Sequence, residues 1–235
     1  MSNGYYISFE GPEACGKTTQ IKLLDSKLKH LNVDVVLSKE PGSTHSKVCQ
    51  AIRQVIFYES IVENAAFFSF LADRSQHMNE VIIPALNQNK VVLSDRGTLS
   101  TLVYHLARLG PSPSNWSHVL NLLPALDYAQ TNHKPDLCFI ASADYEWSVQ
   151  QLALRAGIDR IEQLGKTFHL TIHELFNTFA YQNTQYSHFV NQVLLKLHSV
   201  PNKIVALPSA SRHTVEEIHQ FIMDTVAQEL PGVKL

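Results

Sequence analysis

The sequence predicts an α/β fold: a five-stranded parallel sheet with helices on both faces. Short β-branched and aromatic runs alternate with helical apolar spacing, and the runs are apolar enough to be buried on both faces. A glycine-framed loop also stands where the first strand gives way to the first helix.

Tyr5-Tyr6-Ile7-Ser8-Phe9 reads as the first strand, followed by a helix carrying Ile21, Leu23, Leu24, Leu28 and Leu31 at helical spacing. Val33–Leu37 reads as the second strand, stopped by Glu40-Pro41-Gly42. From Val48 to about Asn89 the spacing predicts two helices broken near Glu59-Ser60, then a buried strand over Lys90–Ser94 and a helix over Leu99–Leu109. Gly110-Pro111-Ser112-Pro113 breaks the chain before a helix at Trp116–Ala129 and a strand at Asp136–Ala141. Helices are expected over 144–156 and 166–199, a last strand over Lys203–Leu207 and an amphipathic helix over Val215–Leu230. In such sheets ligands sit beyond the carboxyl ends of the strands.

The 235 residues fit one domain, 1–235. With 19 Lys+Arg against 21 Asp+Glu, no global field favours nucleic acid or an anionic membrane. Cys15, Cys49 and Cys138 show neither disulfide nor zinc spacing, and no stretch has the apolar length of a membrane helix. The N-terminal segment has no basic or long apolar targeting pattern, so a cytoplasmic protein is expected. His169 and His173 share a helix face, but without the glutamate of a zinc site between them they read as solvated.

Gly11-Pro12-Glu13-Ala14-Cys15-Gly16-Lys17-Thr18, with Thr19 behind it, matches the phosphate-binding pattern G-x-x-x-x-G-K-[ST] between a strand and a helix. Its backbone N–H groups would converge on the phosphates of ATP, Lys17 on the β/γ oxygens, and the Thr18 hydroxyl on Mg²⁺. Asp95, ending a buried strand, suits the Mg²⁺ shell, and Arg96 beside it is placed to hold a second phosphate, which a simple ATPase does not need.

These pieces, with Glu40-Pro41-Gly42-Ser43-Thr44, Phe70-Leu71-Ala72-Asp73-Arg74 and Asp159-Arg160-Ile161-Glu162, resemble the thymidylate kinase family of P-loop nucleoside monophosphate kinases, in order and spacing, from about Ile7 to Phe176. The resemblance implies a P-loop kinase fold with a small lid segment at about 144–166, and transfer of the ATP γ-phosphoryl group to dTMP, giving dTDP and ADP. It implies Phe70 stacked on thymine, Arg74 donating to the base carbonyl, and Ser100, Thr101 and Tyr104 around base and sugar. Arg53 and Arg96 would clamp the acceptor phosphate under the Glu40-Pro41 loop. Glu13 would order Mg²⁺-bound water or the acceptor. With no arginine in the phosphate loop, lid Arg155, with Arg160, would act on the transferred phosphoryl group. A homodimer packed through helices near 45–89 is implied as well. Gly97 stands where an aromatic residue is usual, which points to a looser acceptor pocket, while Ser43, Lys39 and His105 depart from the usual glycine, arginine and glutamine and bear on fine specificity. A kinase for dUMP or a modified deoxypyrimidine monophosphate, or a nucleotide-binding switch without transfer chemistry, stands as the alternative.

Overall fold

The structure, a computed structural model, describes residues 4–131, 133–154 and 160–230. Strands β1 (Tyr5–Glu10), β2 (Val35–Lys39), β3 (Val91–Asp95), β4 (Leu137–Ile140) and β5 (Lys203–Ala206) form one sheet in the order β2-β3-β1-β4-β5, every pair parallel. Side chains alternate between its faces. Ile7, Phe9, Val91, Leu93, Leu137 and Phe139 pack on one face against α1 (Lys17–His30) and α10 (Val215–Glu229). Tyr6 and Val92 face the other way onto a π-helical turn at Met78–Ile82 and α4 (Ile83–Asn87), while Cys138 and Ile140 join the larger core there. Leu24 and Leu28 of α1 are fully buried, so truncating either to alanine is expected to cost about 2–5 kcal/mol.

That larger core is built from α2 (Lys47–Tyr58), α3 (Glu63–His77), α5 (Thr98–Arg108), α6 (Leu123–Ala129), α8 (Lys166–Tyr181) and α9 (Ser187–Lys196). The break between α2 and α3 falls at Glu59–Val62, as the spacing predicts. Helix α7 (Tyr145–Ala153) opens the segment expected as a lid, of which 155–159 lie outside the described residues.

Three elements differ from expectation. The stretch expected as one helix over Trp116–Ala129 is a 3-10 helix at Pro113–Asn121 followed by α6, because Pro124 in the first turn of α6 has no N–H to continue a helix arriving from behind. The helix expected over 166–199 ends at Tyr181, where Gln182 takes a left-handed conformation (φ 51°), and resumes at Ser187. That break lets Tyr186 and Phe189 pack on the buried Trp116 ring, with centroids 4.8 and 5.3 Å away, so the 186–201 segment extends the core. The second strand is shifted by two residues, which makes Lys39 its last member.

Strand register sets the site. Lys39 pairs with Asp95, Asp95 with Phe9, and Glu10 with Ile140, so the charged residues ending β1, β2 and β3 emerge at one edge of the sheet.

Candidate active site

The phosphate loop leaves β1 at Gly11 (φ 135°), where a Cβ would lie 2.3 Å from the Ala141 carbonyl oxygen; only glycine fits this approach. Gly16 caps α1 and turns the chain so that the helix N-terminus faces the cleft. Between them Ala14 takes φ 55°, a left-handed conformation costing an L-residue about 1–2 kcal/mol. Lys17 is buried beneath the loop, and its Nζ donates to the carbonyls of Gly11 (3.1 Å) and Pro12.

The Thr18 hydroxyl donates to Asp95 Oδ2 at 2.7 Å. Burial pushes the Asp95 carboxyl up, but Lys17, Arg96 and the Thr18 hydrogen bond outweigh it and hold the group below the usual carboxylate range. An ionised carboxylate and a hydroxyl oxygen side by side are the hard oxygen donors Mg²⁺ takes, so these residues fit that ion.

Arg96 is held by its own strand end: its N–H donates to Phe9 O at 2.9 Å, and its φ of 77° aims the side chain back across the loop. The guanidinium donates to Gly11 O (3.0 Å), Ser100 Oγ (3.2 Å) and Glu13 Oε1 (3.4 Å), and lies 4.8 Å over the Tyr104 ring. The Tyr104 hydroxyl also donates to Glu13. Burial pushes the Glu13 carboxyl up, and Arg96, Tyr104 and Lys17 more than reverse that, so it stays ionised. One arginine thus ties together the loop, the start of α5 and Glu13.

The opposite wall comes from α2, α3, α5 and the loop after β2. Glu40, Pro41, Arg53, Phe70, Arg74, Ser100, Thr101 and Tyr104 line one cleft with Glu13 through Thr19, Asp95 and Arg96. Arg53 donates to Pro41 O at 2.9 Å and lies 4.5 Å over the Phe57 ring, so it is a wall residue. Arg74 is almost fully buried: it pairs with Glu40 Oε2 at 2.6 Å and donates to Thr101 Oγ1 (2.9 Å) and Gln130 Oε1 (3.1 Å). Glu40 is held in turn by His77, whose Nδ1 lies 2.9 Å from Glu40 Oε1 while Nε2 is hydrogen-bonded to the Ser38 hydroxyl. Lys39 lines the cleft too; burial lowers its pKa, Arg53, Arg96 and Lys17 lower it further, and Asp95 opposes them.

Behind this wall Glu10 is completely buried, with its carboxylate accepting from the backbone N–H (3.1 Å) and hydroxyl of Ser100. Burial pushes its pKa up to about 7, against the pull of Ser100, Arg74 and Arg96. A Cβ at Gly97 would stand 3.0 Å from Glu10 Oε1, so the Glu10 carboxyl lies directly behind Gly97, which itself lines the cleft.

The remaining expectations divide. Arg155 and Asp159 lie outside the described residues. Arg160 is not among the cleft-lining residues: its guanidinium donates to the carbonyls of Ile56 (3.1 Å) and Ile61 (3.4 Å) at the turn between α2 and α3. The expected solvation of His169 and His173 is overturned, because α8 turns both inward. His169 is buried with Nδ1 4.0 Å from Glu13, and His173 is hydrogen-bonded to Ala143 O at 3.1 Å. Ser38, His77 and Gln130 escaped the sequence reading. His77 alone carried a local signal, since Phe70, Arg74 and His77 recur at i, i+4, i+7 on one helix face.

The thymidylate kinase family profile matches residues 9–204. The chain is similar to the thymidylate kinase of Exiguobacterium sibiricum, 31% identical over 186 residues covering 77% of this chain and 84% of that one. It is 37% identical to the thymidylate kinase of Pelotomaculum thermopropionicum over 71% of this chain and 75% of that one. With that of Helicobacter pylori it shares 35% identity over 75% and 82%. The matched range spans the phosphate loop, the Asp95-Arg96 strand end and the Phe70/Arg74 wall, and on this ground the chain belongs to the thymidylate kinase family.

Proposed function

We propose that this protein transfers the γ-phosphoryl group of ATP to dTMP, yielding dTDP and ADP. The observation that carries the reading is a single cleft with a phosphate loop at one end and, at the other, Phe70 and a fully anchored Arg74 one helical turn apart. A planar base fits between an aromatic face and a fixed donor. A carbonyl at the pyrimidine 4-position satisfies that donor, whereas an amino group leaves both sides unpaired.

The acceptor phosphate is already ionised near neutral pH, so its oxygen attacks the γ-phosphorus without a general base. The new P–O bond forms as the bond to the β,γ-bridging oxygen breaks and the electron pair leaves with ADP. The protein contributes position and charge. Lys17 and the loop N–H groups, with Gly11 through Thr19, hold the donor phosphates. Arg53 and Arg96 hold the acceptor, Tyr104 crowds the sugar, and Ser100 and Thr101 support the base. Thr18 and Asp95, with Glu13 through water, would hold Mg²⁺, which neutralises charge on the β- and γ-oxygens when bound. Arg155 takes the role of the lid arginine; Arg160, tied to the α2–α3 turn, anchors the lid base. A second cleft shares Ala14 through Gly16 and Thr19 with the first and is bounded by Trp147, Leu207 and His213, which suits the adenosine of ATP.

Exposed Val48, Val55, Tyr58, Val62 and Phe68 on α2, α3 and their connection support a homodimer packed through that face. Three unpaired, buried cysteines suit a reducing cytoplasm, and no helix among the described residues is long and apolar enough to cross a membrane. ADP release assayed across nucleoside monophosphates tests the reading. dTMP is expected to exceed dCMP and dGMP by at least about tenfold in kcat/KM, and equal turnover of the three would refute it.

A further inference from the structure

Gln130 closes α6, is fully buried and is not among the cleft-lining residues. Its side-chain oxygen accepts two hydrogen bonds, from Arg74 Nη1 at 3.1 Å and from the Thr98 hydroxyl at 3.0 Å. Two donors aimed at one atom fix which end of the amide carries the oxygen, because the reversed amide would set N–H against N–H. The other end, Nε2, is buried with no hydrogen-bond partner among the described residues.

A half-satisfied buried amide is unfavourable for folding, and an apolar side chain of similar size would not carry that orphan donor. What glutamine supplies is an acceptor at the Nη1 end of Arg74. Glu40 and Thr101 both engage Nη2, so without Gln130 the guanidinium is anchored through one nitrogen only. With Nη1 held as well, the plane is fixed at two corners, and the remaining N–H groups on Nη1 and Nε are fixed in direction with it. A neutral acceptor also suits the local charge. Glu40 already balances Arg74, and buried Glu10 is close by, since a Cβ at Gly97 would lie 3.0 Å from Glu10 Oε1 and 4.0 Å from Arg74 Nη1. An amide oxygen holds Nη1 without adding a third buried carboxylate.

We propose that Gln130 is a positioning residue for base selection: by holding Nη1 of Arg74 from outside the cleft, it sets the orientation in which the guanidinium favours a carbonyl over an amino group at the pyrimidine 4-position. The inference rests on Arg74 reading the base of the acceptor nucleotide, and it deepens that reading by placing part of the selectivity on a residue that does not line the cleft. Thr98, bonded to the same oxygen from the start of α5, ties this hold to the helix that carries Ser100, Thr101 and Tyr104.

Gln130→Leu and Gln130→Glu are compared with wild type for kcat/KM of dTMP and of dCMP and for KM of ATP, and calorimetric titration measures dTMP and thymidine binding. For Gln130→Leu the Kd values of dTMP and thymidine rise together, by at least about fivefold, because both carry the base that the fixed donor meets. The kcat/KM of dCMP and the KM of ATP stay within about twofold, so the preference for dTMP over dCMP shrinks. In Gln130→Glu either protonation state presents an oxygen to Nη1, and thymidine affinity stays within about threefold of wild type. An unchanged preference for dTMP over dCMP in Gln130→Leu, a loss for dTMP that spares thymidine, or equal losses for dTMP, dCMP and ATP would each overturn the assignment, the last marking a merely structural glutamine. A loss of about tenfold or more in Gln130→Glu would overturn it too, and that variant decides should Gln130→Leu not fold. If wild-type protein favours another monophosphate over dTMP, the substrate reading fails, while the same titrations with that nucleotide and its nucleoside still decide Gln130.

Discussion

Arg74 and Glu40 meet at 2.6 Å in the cleft wall, with 1% and 5% of their side chains open to solvent. The pair is one step of a chain in which Ser38 fixes His77, His77 fixes Glu40 and Glu40 fixes Arg74. Thr101 and Gln130 take two further N–H groups of the guanidinium. Of its five hydrogens, one on Nη1 and that on Nε stay uncommitted, so a ligand meets a donor whose direction is already set.

Glu40→Gln leaves a buried cation without its counter-charge, and a loss of about 3–5 kcal/mol in unfolding free energy is expected by urea denaturation. His77→Asn keeps the cation paired but loosens Glu40. Its signature is a rise of about tenfold in the KM of dTMP, with the KM of ATP and kcat little changed; equal effects on both substrates would mean a merely structural histidine.

Arg155→Ala tests the lid. If this arginine meets charge that develops only in the transition state, kcat falls by about 10³-fold while dTMP affinity measured by titration is retained. A kcat within about tenfold of wild type would remove Arg155 from the chemistry.

At Ala14 the left-handed backbone stores strain that glycine does not carry. Ala14→Gly should gain up to about 1 kcal/mol, a rise of roughly 2–4 °C in melting temperature, since released strain exceeds the added freedom of the unfolded chain. A fall in melting temperature would show that the loop needs the methyl group.

Glu10 gives stability a pH dependence. Its folded pKa of about 7 lies above the ordinary 4.5, so the folded protein keeps a proton that the unfolded chain has lost, and stability falls as pH rises through that window. The drop amounts to about 3 kcal/mol at most, and Asp73, pushed from 3.8 up to about 6 chiefly by burial, adds to it in the same direction. Denaturation midpoints at about pH 5 and pH 8 read the slope. Glu10→Gln should flatten it, and a variant as steep as wild type would assign the slope elsewhere.

Local order was legible wherever a residue's role depends on its neighbours in the chain. The phosphate loop, the strand-end Asp95-Arg96 pair and the Phe70/Arg74 helix face all read from spacing, and the five strands appear in the order and class expected. Where meaning depends on distant partners, sequence spacing falls short. His169 reads as solvated from its own helix, and only the packing of α8 over the loop brings it near Glu13. Gln130, between α6 and β4, holds Arg74 through no local pattern.

By itself the sequence determined a parallel α/β sheet, a phosphate-binding loop and a helix face shared by Phe70 and Arg74, because backbone periodicity and glycine and proline constraints act over a few residues. Tertiary structure decided which charges are paired. The register of β2 on β3 set Lys39 beside Asp95, the fold buried Glu10 behind Gly97, and the turn between α2 and α3 took Arg160. Desolvation and ion pairing depend on every element that closes over a group, and no stretch of chain carries that information alone.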